Sequence, residues 1–151
     1  MARKSVTVIG DGVRQEYTAQ AAITPGHLIE LRSDGKVQAH STAGGNAQTR
    51  FAFENDLAGK EIGDAYAAGD KVQANTYRKG DVVLAILKDG ETAVIGSLLE
   101  SAGDGTLQVH VPDSGSVTEQ NNQIVGEART AVDMSDSSAA DPSARIEVEI
   151  W

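Results

Sequence analysis

Val82-Val83-Leu84-Ala85-Ile86-Leu87 is the most apolar run in the chain, and its reading decides the fold. It is short and β-branched at its start, and Asp89-Gly90 and then Thr92–Ile95 come after it. A buried helix would carry the same apolar content, because periodicity does not separate a short buried helix from a buried strand. Length, β-branching and the Asp-Gly turn signal favour the strand. The run is therefore expected to be a central strand covered on both faces, hairpinned to Thr92–Ile95.

The segments around it carry the same punctuation. Sixteen glycines, with many Asp, Asn and Ser, divide short apolar runs, which is the pattern of strands and turns. Ser5–Ile9 and Val13–Ala19 read as strands around Gly10-Asp11-Gly12. Leu28–Arg32 and Lys36–His40 flank Ser33-Asp34-Gly35, a hairpin signal that places Ile29 with Leu31 on one face and Val37 with Ala39 on one face. Leu107, Val109 and Val111 alternate with polar residues, as do Ile146, Val148 and Ile150, so both stretches read as half-buried strands. Phe51 and Phe53, on either side of Ala52, are expected to point into a core. Asn55–Glu61 has room for one helical turn capped by Asn55 or Asp56, and Gly59 and Gly63 limit it to that. Ser41–Thr49 and Asp133–Ser143 are small and polar, and are expected to be solvent-facing loops, the first of them mobile. The chain ends within a strand, at Trp151, so a tag or truncation there should damage the fold. The expected fold class is mainly β: a compact antiparallel, barrel-like domain with at most one short helix. Residues 1–12 form an N-terminal arm or edge strand, and residues 13–151 a single β domain.

Size and composition agree with one such domain. A chain of 151 residues buries about 68–70% of its unfolded surface, enough to dispense with metals and disulfides, and cysteine is absent. The formal charge is −9. Residues 1–100 hold 11 basic and 13 acidic side chains, whereas residues 101–151 hold 2 and 9. Such a surface repels phosphate backbones and anionic lipids, so neither nucleic acid nor membrane is an expected partner. Arg3 and Lys4 are followed by no long apolar stretch, which argues against a secretory signal and for a protein made in a cytoplasm.

Catalytic signatures are missing. His27, His40 and His110 are far apart, with none of the short spacings of a metal site. Asp133, Asp136 and Asp141 lack the alternating ligands, glycine and closing Glu of a calcium loop. Gly10-Asp11-Gly12 is no dinucleotide fingerprint, Lys79-Gly80 is no phosphate loop, and Ser114 in Asp113-Ser114-Gly115 is no nucleophile elbow. Tyr77-Arg78-Lys79-Gly80-Asp81 faintly resembles a substrate-loop motif of the trimeric dUTPases, with an inserted Lys and without the preceding acidic residue. With few aromatic residues the chain has little to stack on sugars or bases.

Phe51-Ala52-Phe53-Glu54-Asn55-Asp56-Leu57, Gly59-Lys60-Glu61-Ile62-Gly63-Asp64-Ala65-Tyr66, Ala67-Ala68-Gly69-Asp70-Lys71-Val72 and Val82–Ile86 come first in an ordered set. Ser97-Leu98-Leu99, Gly103-Asp104-Gly105-Thr106-Leu107, Ile124-Val125-Gly126-Glu127-Ala128 and Arg145-Ile146-Glu147-Val148-Glu149-Ile150-Trp151 complete it. In this order they resemble the head decoration, or cement, proteins of tailed bacteriophages, over roughly residues 50–151. The resemblance implies a β-tulip-like domain with an extended N-terminal arm. It implies a homotrimer on the outer surface of an expanded head, at three-fold and quasi-three-fold positions of a shell built from an HK97-type major capsid protein. It implies a structural virion protein with no cofactor and no catalytic residues. Ala2, Arg3, Lys4 and Ser5 are the expected capsid contacts, since an arm can add a strand to a capsid subunit. A glycan-binding or host-surface module and a dUTPase-like nucleotide hydrolase stand as the alternatives.

Overall fold

A computed structural model describes residues 5–112, 123–135 and 144–151. The apolar run forms β7 (Val82–Ile86), which lies between β1 (Thr7–Ile9) and β13 (Arg145–Ile150). That sheet continues through β11 (Gly126–Ala128) and β9 (Leu98–Ser101) to β10 (Leu107–Val109), with every pairing antiparallel. Val83 faces Val148, and Ala85 faces Ile146, on the inner side. Val82 and Leu84 point the other way yet are also buried. The segments around Pro25 and Ile62 lie over that side, where their carbonyls accept both Nη atoms of Arg145. Cover on both faces is why β7 is apolar throughout while β13, with one face open, alternates.

The sheet rolls. Leu87, just past β7, makes a parallel bridge to Leu107 at the far strand, with Lys88 N–H donating to the Leu107 carbonyl at 2.8 Å. The roll stops short of a closed barrel. Its interior holds Val83, Ala85, Leu87, Leu99, Leu107, Ala128, Ile146, Val148 and Ile150.

A second, smaller core lies beside it. β6 (Lys71–Thr76) pairs with β2 (Val13–Thr18) on one side and β5 (Arg50–Ala52) on the other. β3 (Ile29–Leu31) and β4 (Val37–Ala39) form the expected hairpin. Ala19, Ile23, Ile29, Val37, Ala52, Tyr66, Val72 and Ala74 pack between these elements. β5 links the two cores: Phe51 packs into the first and Ala52 into the second. Phe51 and Phe53 are both buried, as expected.

Several local readings are corrected. β7 is not hairpinned to its successor, because β1 and β13 already occupy both of its edges. The chain instead turns at Asp89-Gly90, and β8 (Thr92–Ala93) pairs with β12 (Val132–Asp133). β1 and β2 are strands around Gly10-Asp11-Gly12, as read, and they enter different sheets on either side of it. Ser41–Thr49 is tied down rather than free. Gln123 accepts from Ala47 N–H at 2.9 Å and donates to the Ala47 carbonyl at 2.6 Å, and Gly44 N–H reaches the Ser101 carbonyl at 2.8 Å. The turn at Asp56–Ala58 is a single 3-10 turn whose N-cap, Asn55, makes no side-chain capping bond. Leu31 and Val111 lie half or more exposed, beyond the reach of the cores, although alternation placed each with buried partners. Of the Asp133–Ser143 loop, residues 136–143 lie outside the described residues.

Candidate interaction surface

The expected contact arm leads into a fixed point. Val6 is fully buried, its N–H donates to Glu54 Oε2 at 3.0 Å, and its carbonyl accepts from Leu84 N–H at 2.7 Å. β1 then runs along the edge of the large sheet, paired on one side to β7. Ser5 is half-buried, while Ala2, Arg3 and Lys4 lie outside the described residues. Four residues ahead of Val6 span at most about 14 Å when extended.

The outer face of the large sheet is the second surface. Strand register places Val82, Glu149, Glu127, Leu98 and His110 side by side across five strands; Leu98 and His110 meet where β10 runs on past Val109. Glu147 shares that face from β13, and the alternation continues to Trp151, which is 55% exposed. Arg129 Nη1 donates to Glu149 at 3.1 Å, and Glu100 takes hydrogen bonds from Gln108 at 2.8 Å and with His110 at 2.7 Å. The turn Val94–Ser97 rises at one side, closed by Ser97 N–H to the Val94 carbonyl at 3.0 Å. Val94 and Ile95 are exposed at its tip, and Val111 follows His110 beside it.

Polar side chains that could have been reactive are built into the interior. His40 Nδ1 lies 2.7 Å from Ser101 Oγ, and its Nε2 lies 3.0 Å from the Asn46 carbonyl and 3.8 Å from Glu30 Oε2. The composition is that of a serine–histidine–carboxylate triad, but Ser101 has no exposed surface and His40 almost none. The Asn46 carbonyl can only accept, so Nε2–H donates to it, and in that tautomer the Ser101 hydroxyl donates to Nδ1 while accepting from Gly103 N–H at 3.2 Å. The group fastens the 41–49 segment to β9. Tyr77 is buried edge-on to Phe51, ring centroids 6.0 Å apart, with its hydroxyl 2.6 Å from Thr7 Oγ1. Its ring is not offered to a nucleotide, and Arg78–Asp81 forms the turn from β6 to β7, with Gly80 at φ 95°. A cavity of about 410 Å³ between β3 and residues 46–50 has Glu30, His40, Gln48 and Arg50 in its wall but no Phe, Tyr or Trp on which a sugar could stack. Among the described residues no group of three His, Asp or Glu is placed to hold a metal. Asp136, Asp141 and Ser114 lie outside them.

His27 carries a testable consequence of burial. Its Nδ1 accepts from Thr24 N–H at 3.2 Å. Removal of the ring from water pushes its pKa down to about 4, with Arg145 acting in the same direction and Asp104 against. The unfolded chain takes up this proton near the ordinary value of about 6.5, so below that pH the unfolded state binds more protons. Stability should fall as pH drops from about 6.5 to 4 and then level off, by about 2–3 kcal/mol once partial solvent access is allowed for. His27→Asn keeps an acceptor for Thr24. Between pH 7 and 4.5, its urea midpoint should fall less than that of the wild type. Equal losses would show that other groups set the acid sensitivity.

No protein-family model and no curated protein matches the chain. Among solved structures, its fold is similar to that of the head fiber gp8.5 N base of bacteriophage phi29, with a TM-score of 0.56 over 92% of this chain and 93% of that one. Sequence identity is 14%, so the likeness is one of fold. No helix among the described residues is long and apolar enough to cross a membrane.

Proposed function

We propose that this chain is a structural protein of a bacteriophage virion, attached to the outside of the head. The observation that carries this reading is the match to a phage head fiber base along nearly the whole length of both chains. The residue motifs over positions 50–151 that resemble head decoration proteins are consistent with it. More finely, the protein is a non-enzymatic cement protein. As a homotrimer it binds the major capsid protein of the expanded shell at three-fold and quasi-three-fold positions and holds neighbouring subunits together. A buried His40, a buried Tyr77 and short, well-tied turns suit a role that requires shape rather than turnover. Repeated contacts across one trimer convert modest single contacts into lasting attachment.

The test is co-sedimentation of the purified protein with expanded, undecorated heads of the parent phage, followed by imaging of the pellet. Saturable binding with density at three-fold positions supports the reading. Absence of binding to heads shown to be bare and expanded removes it.

The arm contributes through Ala2–Ser5, which can extend the edge presented by β1 and pair with a capsid strand. Deleting Ala2–Ser5 should leave the unfolding transition unchanged, because Val6, which is kept, holds the first anchoring bonds among the described residues. Head affinity should drop about tenfold, as for one or two main-chain hydrogen bonds of ~1 kcal/mol each. Undiminished decoration by the deletion variant would end the arm's role.

A further inference from the structure

We infer that the open part of the outer face of the large sheet, around Glu127, Glu149 and Leu98, with the Val94–Ser97 turn at its side, is a docking surface for a basic-rimmed apolar patch on the capsid shell. This inference rests on the proposed function and locates the contact on it. Glu127 and Glu149 are direct cross-strand partners on one face. Such carboxylates stand about 5 Å apart at Cβ, and like charges in that position oppose the pairing. Arg129, bonded to Glu149, offsets part of this charge, and Arg145, on the same side of β13, is held by the Pro25 and Ile62 carbonyls. A face that keeps this repulsion in the free chain gains when a partner supplies Lys or Arg.

The apolar half lies next to it. Leu98 sits directly opposite Glu127, and a Cβ on Gly96 would come within 3.8 Å of Glu127 Oε1, so the Val94–Ser97 turn, which carries Ile95, borders that carboxylate. Ile95 and Val111 are each 71% exposed, and Trp151, 55% exposed, follows Glu149 on the same face. Exposed aliphatic and aromatic side chains beside a row of like charges form the usual plan of a specific contact: anchors that bury, and charges that choose the partner. The sign of the charge selects among occupants. A second copy laid face to face by two-fold symmetry would set carboxylate against carboxylate. Nucleic acid would meet the same repulsion. A protein surface carrying Lys or Arg around an apolar depression meets neither obstacle.

The experiment measures binding of Glu127→Lys with Ile95→Ser to bare expanded heads, beside the wild type and Glu61→Lys, an equal charge change at an exposed site on another loop. An ammonium group in place of the Glu127 carboxylate, opposite Glu149, removes the like-charge pair, so the variant should fold with a thermal midpoint equal to or above the wild type. Its head affinity should nevertheless fall at least about tenfold, with Glu61→Lys unchanged, and wild-type affinity should weaken as salt rises. Wild-type affinity in the folded variant would overturn the inference. So would a changed oligomeric state in light scattering, which would make the face a contact between copies. Failure of the wild type itself to bind would overturn the proposed function, a result distinct from failure of this surface.

Discussion

Val83→Asp should abolish the folded state. Val83 is fully buried, lies opposite both Thr7 of β1 and Val148 of β13, and points into the rolled sheet among Val148, Leu99 and Ile150. Loss of the valine costs about 1.5–3 kcal/mol of apolar burial. The new carboxylate enters a cluster of apolar side chains and must either desolvate its charge or take up a proton at neutral pH. Either route costs several kcal/mol more. The sum approaches the whole stability of a typical domain, about 5–15 kcal/mol. The purified variant should lack a cooperative thermal transition and the near-ultraviolet signal of packed aromatic rings. Ile9→Asp is the control. It changes the neighbouring edge strand in the same way, but Ile9 is 54% exposed, and that variant should melt as the wild type does. A wild-type melt for Val83→Asp would mean that β7 is not the central strand.

The strands were legible because their causes are local. Alternation at Ile146, Val148 and Ile150, the Ser33-Asp34-Gly35 turn and the uninterrupted run of β7 each depend on residues a few positions apart. Pairing was less legible. Proximity and a turn signal suggested that β7 pairs with the next strand in the chain, yet its neighbours come from residues 7–9 and 145–150. Nothing local records that both edges of a strand are already filled. The tethering of Ser41–Thr49 was hidden for the same reason, since its clamp, Gln123, is 76 residues from Ala47.

The surface shows a similar division. Arg3 and Lys4 at the start of the chain draw the eye as candidate contacts. The acidic row needs register before it exists: Glu127 and Glu149 are unremarkable until β11 and β13 place them opposite each other. The histidines show the reverse error that sequence invites. His40 and Ser101 do converge, but in the interior, where they fasten one segment to another instead of meeting a substrate. A weak clue was present in the uneven charge, which concentrates acidic residues after position 100 and sets three of them, Glu127, Glu147 and Glu149, on two of the strands that build this face.

Gly126→Val, at the one glycine within a strand among the described residues, should be severely damaging, for a reason unrelated to backbone freedom. Gly126 lies in β11, paired to Ile150 on one side and Leu99 on the other, and its dihedral angles are open to any residue. The obstacle is space. A Cβ there would overlap the Glu149 carbonyl oxygen and stand 2.5 Å from Val148 Cγ1. The first is backbone and the second a rigid β-branched side chain in the core, so neither yields by a simple rotation. Relief requires β11 to withdraw from β13, which breaks the sheet between its two halves. Gly126→Ala should cost about 3 kcal/mol, at the upper end of ordinary overpacking, and Gly126→Val more than about 4 kcal/mol. Gly63→Ala, with nothing within 4 Å of the added carbon, should stay within about 0.5 kcal/mol of the wild type. Urea midpoints for the three variants check the ordering. A Gly126→Val midpoint near that of Gly63→Ala would mean that β11 and β13 are not packed as closely as described, and the juxtaposition of Glu127 with Glu149, which depends on the same pairing, would fall with it.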